Sequence, residues 1–229
     1  YYPEVPQARE LDWAGSNSTP RIGWEWSLLG LNRTSAPVRP KSALPTLLIA
    51  MGGSDPYGLT LQSANALSKL NRTFRARFVI GQGMAEKHRV ARAIVAMRPG
   101  FFETIEGADD LATEYASADL ALAAFGVTAY ELAAFGVPAL YLALTPDHAR
   151  SASAFETAGM GSCLGLADDV SDEELRQSIA ALLADSARRR EMHAAGLMTI
   201  DGQGAARIAA DLSALLAAKR VTGLQTARG

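Results

Sequence analysis

A chain of 229 residues with 48% hydrophobic and 20% charged side chains holds enough apolar material for one large domain, or one domain plus an appendage. Its 22 basic and 24 acidic residues give a formal net charge of −2, which offers no general attraction to nucleic acid or to an anionic membrane. One cysteine, Cys163, excludes an internal disulfide, and the three histidines (His88, His148, His193) are too far apart in sequence for any metal-ligand spacing.

Residues 1–45 read as irregular. They hold all three tryptophans (Trp13, Trp24, Trp26) and, with Pro45 at the boundary, six of the ten prolines. Segment 35–45, SAPVRPKSALP, is a linker by composition. This leader is expected to pack on a partner surface, the alternative being a strap across the main domain. No secretory signal opens the chain, which begins Tyr-Tyr-Pro without Met, so a fragment of a longer protein is expected.

Thr46–Met51 (TLLIAM) is a buried strand running into Gly52-Gly53-Ser54-Asp55-Pro56. Ser54 or Asp55 is placed to cap the next helix, with Pro56 in its first turn. Leu61, Ala64, Leu67 and Leu70 give that helix an apolar stripe. Arg77–Ile80 is a third apolar piece ending in Gly81-Gln82-Gly83. Residues 84–98 form a basic helix whose Arg89, Arg92 and Arg98 read as a solvated face. Phe101–Ile105 is the next strand. Asp109 and Asp110 open the helix LATEYASA as acids matching its dipole.

The stretch from Ala118 to His148 is the most informative. Asp119–Ala123 is an apolar run of the kind a parallel sheet buries on both faces. Gly126 breaks it, Thr128 and Glu131 follow at a helix start, Gly136-Val137-Pro138 closes the helix, and Ala139–Leu144 is the next strand. The near-repeat AAFGV at 123–127 and 133–137 marks the two ends of one helix. Free N–H groups and the helix dipole favour an anion where such a helix follows a parallel strand. Gly126 lets a phosphate approach the backbone. Glu131, one turn in, can accept from sugar hydroxyls; equally, Thr128-x-x-Glu131 fits a capping box in which the Glu serves only its own helix. A membrane span over 120–144 is disfavoured by Gly126, Gly136 and Pro138.

Asp147 and His148 begin a helix ending at Gly159. A strand near Ser162–Leu166, helices over 173–185 and 187–197, a turn at Asp201-Gly202-Gln203-Gly204 and a last helix over 205–218 follow. Six strands alternating with helices predict an α/β fold, a doubly wound, Rossmann-like parallel sheet with right-handed crossovers. Ligands on such sheets sit at the carboxyl ends of the strands, where both glycine turns, 52–55 and 125–128, fall.

AMGGSDPYGLT, ADLALAAFGVTAYELAAFGVPALYL and IDGQGAARIA, in this order, resemble the UDP-sugar hydrolase of pseudaminic acid biosynthesis and the related spore-coat polysaccharide biosynthesis proteins. Those are relatives of the lipid II N-acetylglucosaminyltransferase and share its GT-B fold. The resemblance covers residues 46 to about 218. It implies one half of a GT-B fold, with 1–45 as the end of a missing amino-terminal domain and linker, 46–218 as the nucleotide-sugar domain and 219–229 as a tail.

By the same resemblance, Gly53, Ser54 and Asp55 face the interdomain cleft and the phosphates. Gly126, Val127 and Thr128 supply backbone donors to the diphosphate. Glu131 holds the ribose hydroxyls, Gly107 and Ala108 read the uracil edge, and Asp147 and His148 sit near the sugar. His148 stands where relatives often have Gln, and Phe125 where they commonly have Gly; Phe125 either narrows the turn or stacks on something. The implied function is the UDP-sugar-binding half of a hydrolase or glycosyltransferase of surface-polysaccharide or nonulosonic-acid synthesis. The alternative is a non-catalytic nucleotide-sugar-binding domain. The expected partners are a UDP-sugar and the chain's own amino-terminal domain, in the cytoplasm, with no metal, no cofactor, no nucleic acid and no membrane span. No catalytic residue is assigned.

Overall fold

Six short apolar runs become six parallel strands in the order β3-β2-β1-β4-β5-β6. The strands are β1 (Thr46–Ala50), β2 (Arg75–Ile80), β3 (Phe102–Glu106), β4 (Leu120–Ala124), β5 (Ala139–Ala143) and β6 (Gly161–Leu166). This computed structural model describes residues 1–16, 18–30, 43–107 and 111–226, with side chains described to residue 218. The linker reading of 35–45 and the acids Asp109 and Asp110 therefore fall wholly or mostly outside the described residues.

The winding follows from alternation along each strand. Successive side chains of a strand point to opposite faces, so a strand covered on both sides is apolar throughout. Leu47 and Ile49 of β1 join one core, Leu48 and Ala50 the other. The first core is covered by α2 (Leu59–Ser68), α3 (Lys87–Met97) and α7 (Asp172–Ala184). The second is covered by α4 (Ala112–Ser117), α5 (Val127–Ala134) and α6 (Pro146–Thr157), whose Phe155 is fully buried. Helix α8 (Ser186–Thr199) adds Met192 to the first core and packs against α5.

The order reverses between β1 and β4, which pair directly with Leu47 opposite Leu120 and Ala50 opposite Ala123. That reversal is the switch point of a doubly wound sheet, where the first connections leave on opposite faces and open a crevice. The fold expectation holds strand for strand. The stretch 120–144 is β4, α5 and β5, and among the described residues no helix is long and apolar enough to cross a membrane.

Three local expectations need correcting. Pro56 is not in the first turn of α2: that helix starts at Leu59, behind Gly58 and Asp55, which both have positive φ. Arg98 is not simply solvated, because its guanidinium lies 5.0 Å from the ring centre of Phe74 and donates to the Arg72 carbonyl. The last helix, α9 (Gly204–Thr226), runs eight residues past the expected end at 218.

The described part of the leader packs as a strap across the main domain. Helix α1 (Pro6–Glu10) lies on α6, where Gln7 donates to the Asp147 carbonyl. Trp24 packs edge-on against Phe155, with ring centres 5.0 Å apart, and beside Tyr130. Arg21 pairs with Asp211 of α9. Gly204 lets the leader pass, since a Cβ there would stand 2.0 Å from the Ser27 carbonyl oxygen.

Candidate functional site

The crevice at the β1/β4 switch point holds a cavity of about 600 Å³, a size suited to a small organic ligand. Gly53 and Ser54 line it from the turn after β1, Thr128 and Glu131 from α5 after β4. Gly53 and Ser54 of the first turn and Thr128 of the second thus border one space, which Gly126 and Val127 do not line.

The first turn is built almost wholly from backbone. Gly52 has φ of +88°, a conformation costly for any residue with a Cβ. The turn after β2 clamps it from the side. Gly83 donates its N–H to the Gly53 carbonyl at 3.0 Å, and a Cβ on Gly81 would come within 2.1 Å of that same oxygen. Asp55 closes the turn below. It is 8% exposed, and its two carboxylate oxygens accept from the N–H groups of Leu59 and Thr60 at 2.8 and 2.9 Å. A carboxylate there satisfies and neutralises the amino end of α2. Asp55 belongs to the frame of the turn, and it is absent from the lining of the crevice cavity.

The second turn is different. Gly126 is extended, with φ of 170°, and a Cβ on it would meet open space. It is the residue before α5, so Val127 and Thr128 are the first two helical residues, whose N–H groups lack intrahelical acceptors by position. This excludes the capping-box alternative, which needs Thr128 in the capping position. Glu131 is engaged elsewhere: the Tyr115 hydroxyl of α4 donates to its Oε2 at 2.9 Å.

Phe125 resolves as a core residue. It is 5% exposed and packs edge-on against Tyr141 and Phe155, so it stacks on the core and leaves the turn open. Burial raises the Tyr141 phenol above its ordinary pKa.

The remaining expected residues stand apart. Gly107 follows β3 with φ of +65°, at the same carboxyl edge of the sheet, and does not line the crevice cavity. Ala108 lies outside the described residues. Asp147 is exposed in the first turn of α6, and the His148 N–H donates to the Thr145 hydroxyl at 3.2 Å. Neither Asp147 nor His148 lines the crevice cavity, although the His148 ring lies 6.3 Å from Phe125.

Two contributors escaped the sequence reading. The Gly81-Gln82-Gly83 turn was visible as a strand end, and its two glycines on a strand destined to flank β1 were a usable signal. Tyr115 gave none, since its partnership with Glu131 depends on how α4 settles.

No protein-family model matches the chain. It is 30% identical over 170 residues to the spore coat polysaccharide biosynthesis protein SpsG of Bacillus subtilis, covering 74% of this chain and 50% of that protein. Among solved structures it is similar to the spinosyn rhamnosyltransferase SpnG, with a TM-score of 0.61 and 18% identity over 86% of this chain and 53% of that one. It is also similar to S. aureus MnaA in a structure with UDP, with a TM-score of 0.59 and 19% identity over 76% of this chain and 46% of that one. The chain spans about half the length of each.

Proposed function

We propose that this chain, whose fold is the Rossmann-like half of a GT-B protein, binds a UDP-sugar as the donor-binding half of an enzyme of surface-polysaccharide or nonulosonic-acid synthesis, a UDP-sugar hydrolase or a glycosyltransferase. One observation carries the reading: Gly53 and Ser54 after β1 and Thr128 after β4, on adjacent strands at the switch point, border one cavity, with Glu131 on its wall. SpnG has also been solved with thymidine diphosphate, so two structurally similar proteins have been captured with a pyrimidine nucleoside diphosphate.

In this reading the diphosphate lies across the crevice. The amino end of α5 supplies N–H donors and a positive dipole end from Val127 and Thr128. Gly53 and Ser54 close the opposite side, where the absence of a side chain on Gly53 lets an oxygen approach the backbone. The Glu131 carboxylate accepts from the ribose hydroxyls, with Gly107 toward the uracil. Asp147 and His148, at the start of α6, lie toward the sugar. The chain's partner is the other half of the protein, which contributes the reacting groups or the acceptor site.

Thermal unfolding with UDP tests binding. UDP at 100 times its dissociation constant stabilises a one-site protein by about 2.7 kcal/mol, and an unchanged melting temperature would count against the proposal. Incubating the full-length protein with a UDP-amino-sugar then separates the chemistries. Free sugar released without an acceptor means hydrolysis, a requirement for an acceptor means transfer, and binding with neither product means a non-catalytic role.

A further inference from the structure

We infer that Tyr115 is a positioning residue that makes the site selective for ribose over deoxyribose, an inference that rests on the proposed role of Glu131. A glutamate reaches its ligand through a flexible side chain. When a sugar lacks the hydroxyl it should meet, a loose carboxylate turns to water and the mismatch costs little. A carboxylate held in place has no such escape, and the mismatch costs the full loss of the bond.

The structure supplies the restraint. The Tyr115 hydroxyl donates to Glu131 Oε2 at 2.9 Å, a bond strengthened by the carboxylate charge. The tyrosine is itself held by packing: it is 1% exposed and lies edge-on against Phe135, with ring centres 5.6 Å apart. The neighbouring residue secures the same short helix, because Glu114 forms an ion pair with Arg77 of β2. Helix α4 is thus tied to the sheet at Glu114 and to α5 at Tyr115. Both Tyr115 and Glu131 line the cavity, so the bond lies where the pentose would sit.

Tyr115→Phe keeps the ring, its packing and the charge of Glu131, and removes the hydroxyl that donates to Glu131. Calorimetric titrations of the full chain with UDP and with 2′-deoxy-UDP give the ratio that decides the matter. In the unsubstituted protein UDP binds more tightly. In Tyr115→Phe the expected result is a loss of about fivefold in UDP affinity with little change for 2′-deoxy-UDP, so the preference collapses. Glu131→Gln loses the preference on its own, and adding Tyr115→Phe to it changes the ratio no further. A merely structural tyrosine would weaken both ligands equally and preserve the ratio, which overturns the inference while leaving the ribose role of Glu131 standing. An unsubstituted protein that binds UDP and 2′-deoxy-UDP alike overturns that role and the inference together.

Discussion

The two glycine turns that face each other across the crevice are built on opposite principles. The turn after β1 is over-determined: Gly52 sits at positive φ, Gly81 leaves room for no side chain beside Gly53, and Asp55 is consumed in capping α2. The turn after β4 is permissive: Gly126 is extended, a Cβ there meets open space, and the polar groups belong to the helix end and to Glu131. Backbone shape governs the first and exposed donors and a carboxylate govern the second. Damage to the first should therefore appear as lost stability, and damage to the second as lost affinity.

The largest expected effect breaks the first turn. Gly81→Val drives a branched side chain into the Gly53 carbonyl and is expected to cost about 3 kcal/mol in urea unfolding, with UDP affinity falling as a consequence. A stable Gly81→Val protein would show that the turn can shift freely, and the contrast would fail. Next, Glu131→Ala should weaken UDP binding by about 2 kcal/mol in a calorimetric titration. Its stability should fall by less, about 1 kcal/mol, from the loss of an acceptor for the Tyr115 hydroxyl.

Asp55→Ala should lower stability by about 1 kcal/mol through the lost cap of α2, with any weakening of UDP secondary to that. A loss of UDP affinity without a loss of stability would place Asp55 on the ligand and not in the frame. The smallest effect is on folding in Gly126→Ala, where stability should stay within about 0.5 kcal/mol while UDP affinity drops. Unchanged affinity there would remove Gly126 from the phosphate contact.

The sequence carried the sheet because buried parallel strands announce themselves. TLLIA, LALAA and ALYLA are apolar on both faces, and each became a fully buried strand. It carried the two turns as turns, since a glycine after such a run marks where the chain leaves the sheet. What it hid depends on contacts between distant segments. The capping-box pattern at Thr128 and Glu131 was locally valid, but the helix begins at Val127, two residues too early for it, and Tyr115 takes up the Glu131 carboxylate instead. Pro56 signalled a helix start that the positive φ of Asp55 and Gly58 delayed by three residues. Trp24 advertised a sticky leader without revealing that its surface was the chain's own Tyr130 and Phe155.

The central claim is that both turns grip one diphosphate. A crystal structure of the protein with UDP tests it most directly. The expected result puts the two phosphates between Gly53 and the Val127–Thr128 end of α5, with ribose hydroxyls on Glu131. A diphosphate bound in the crevice but touching one turn alone, or UDP seated elsewhere on the surface, would contradict it.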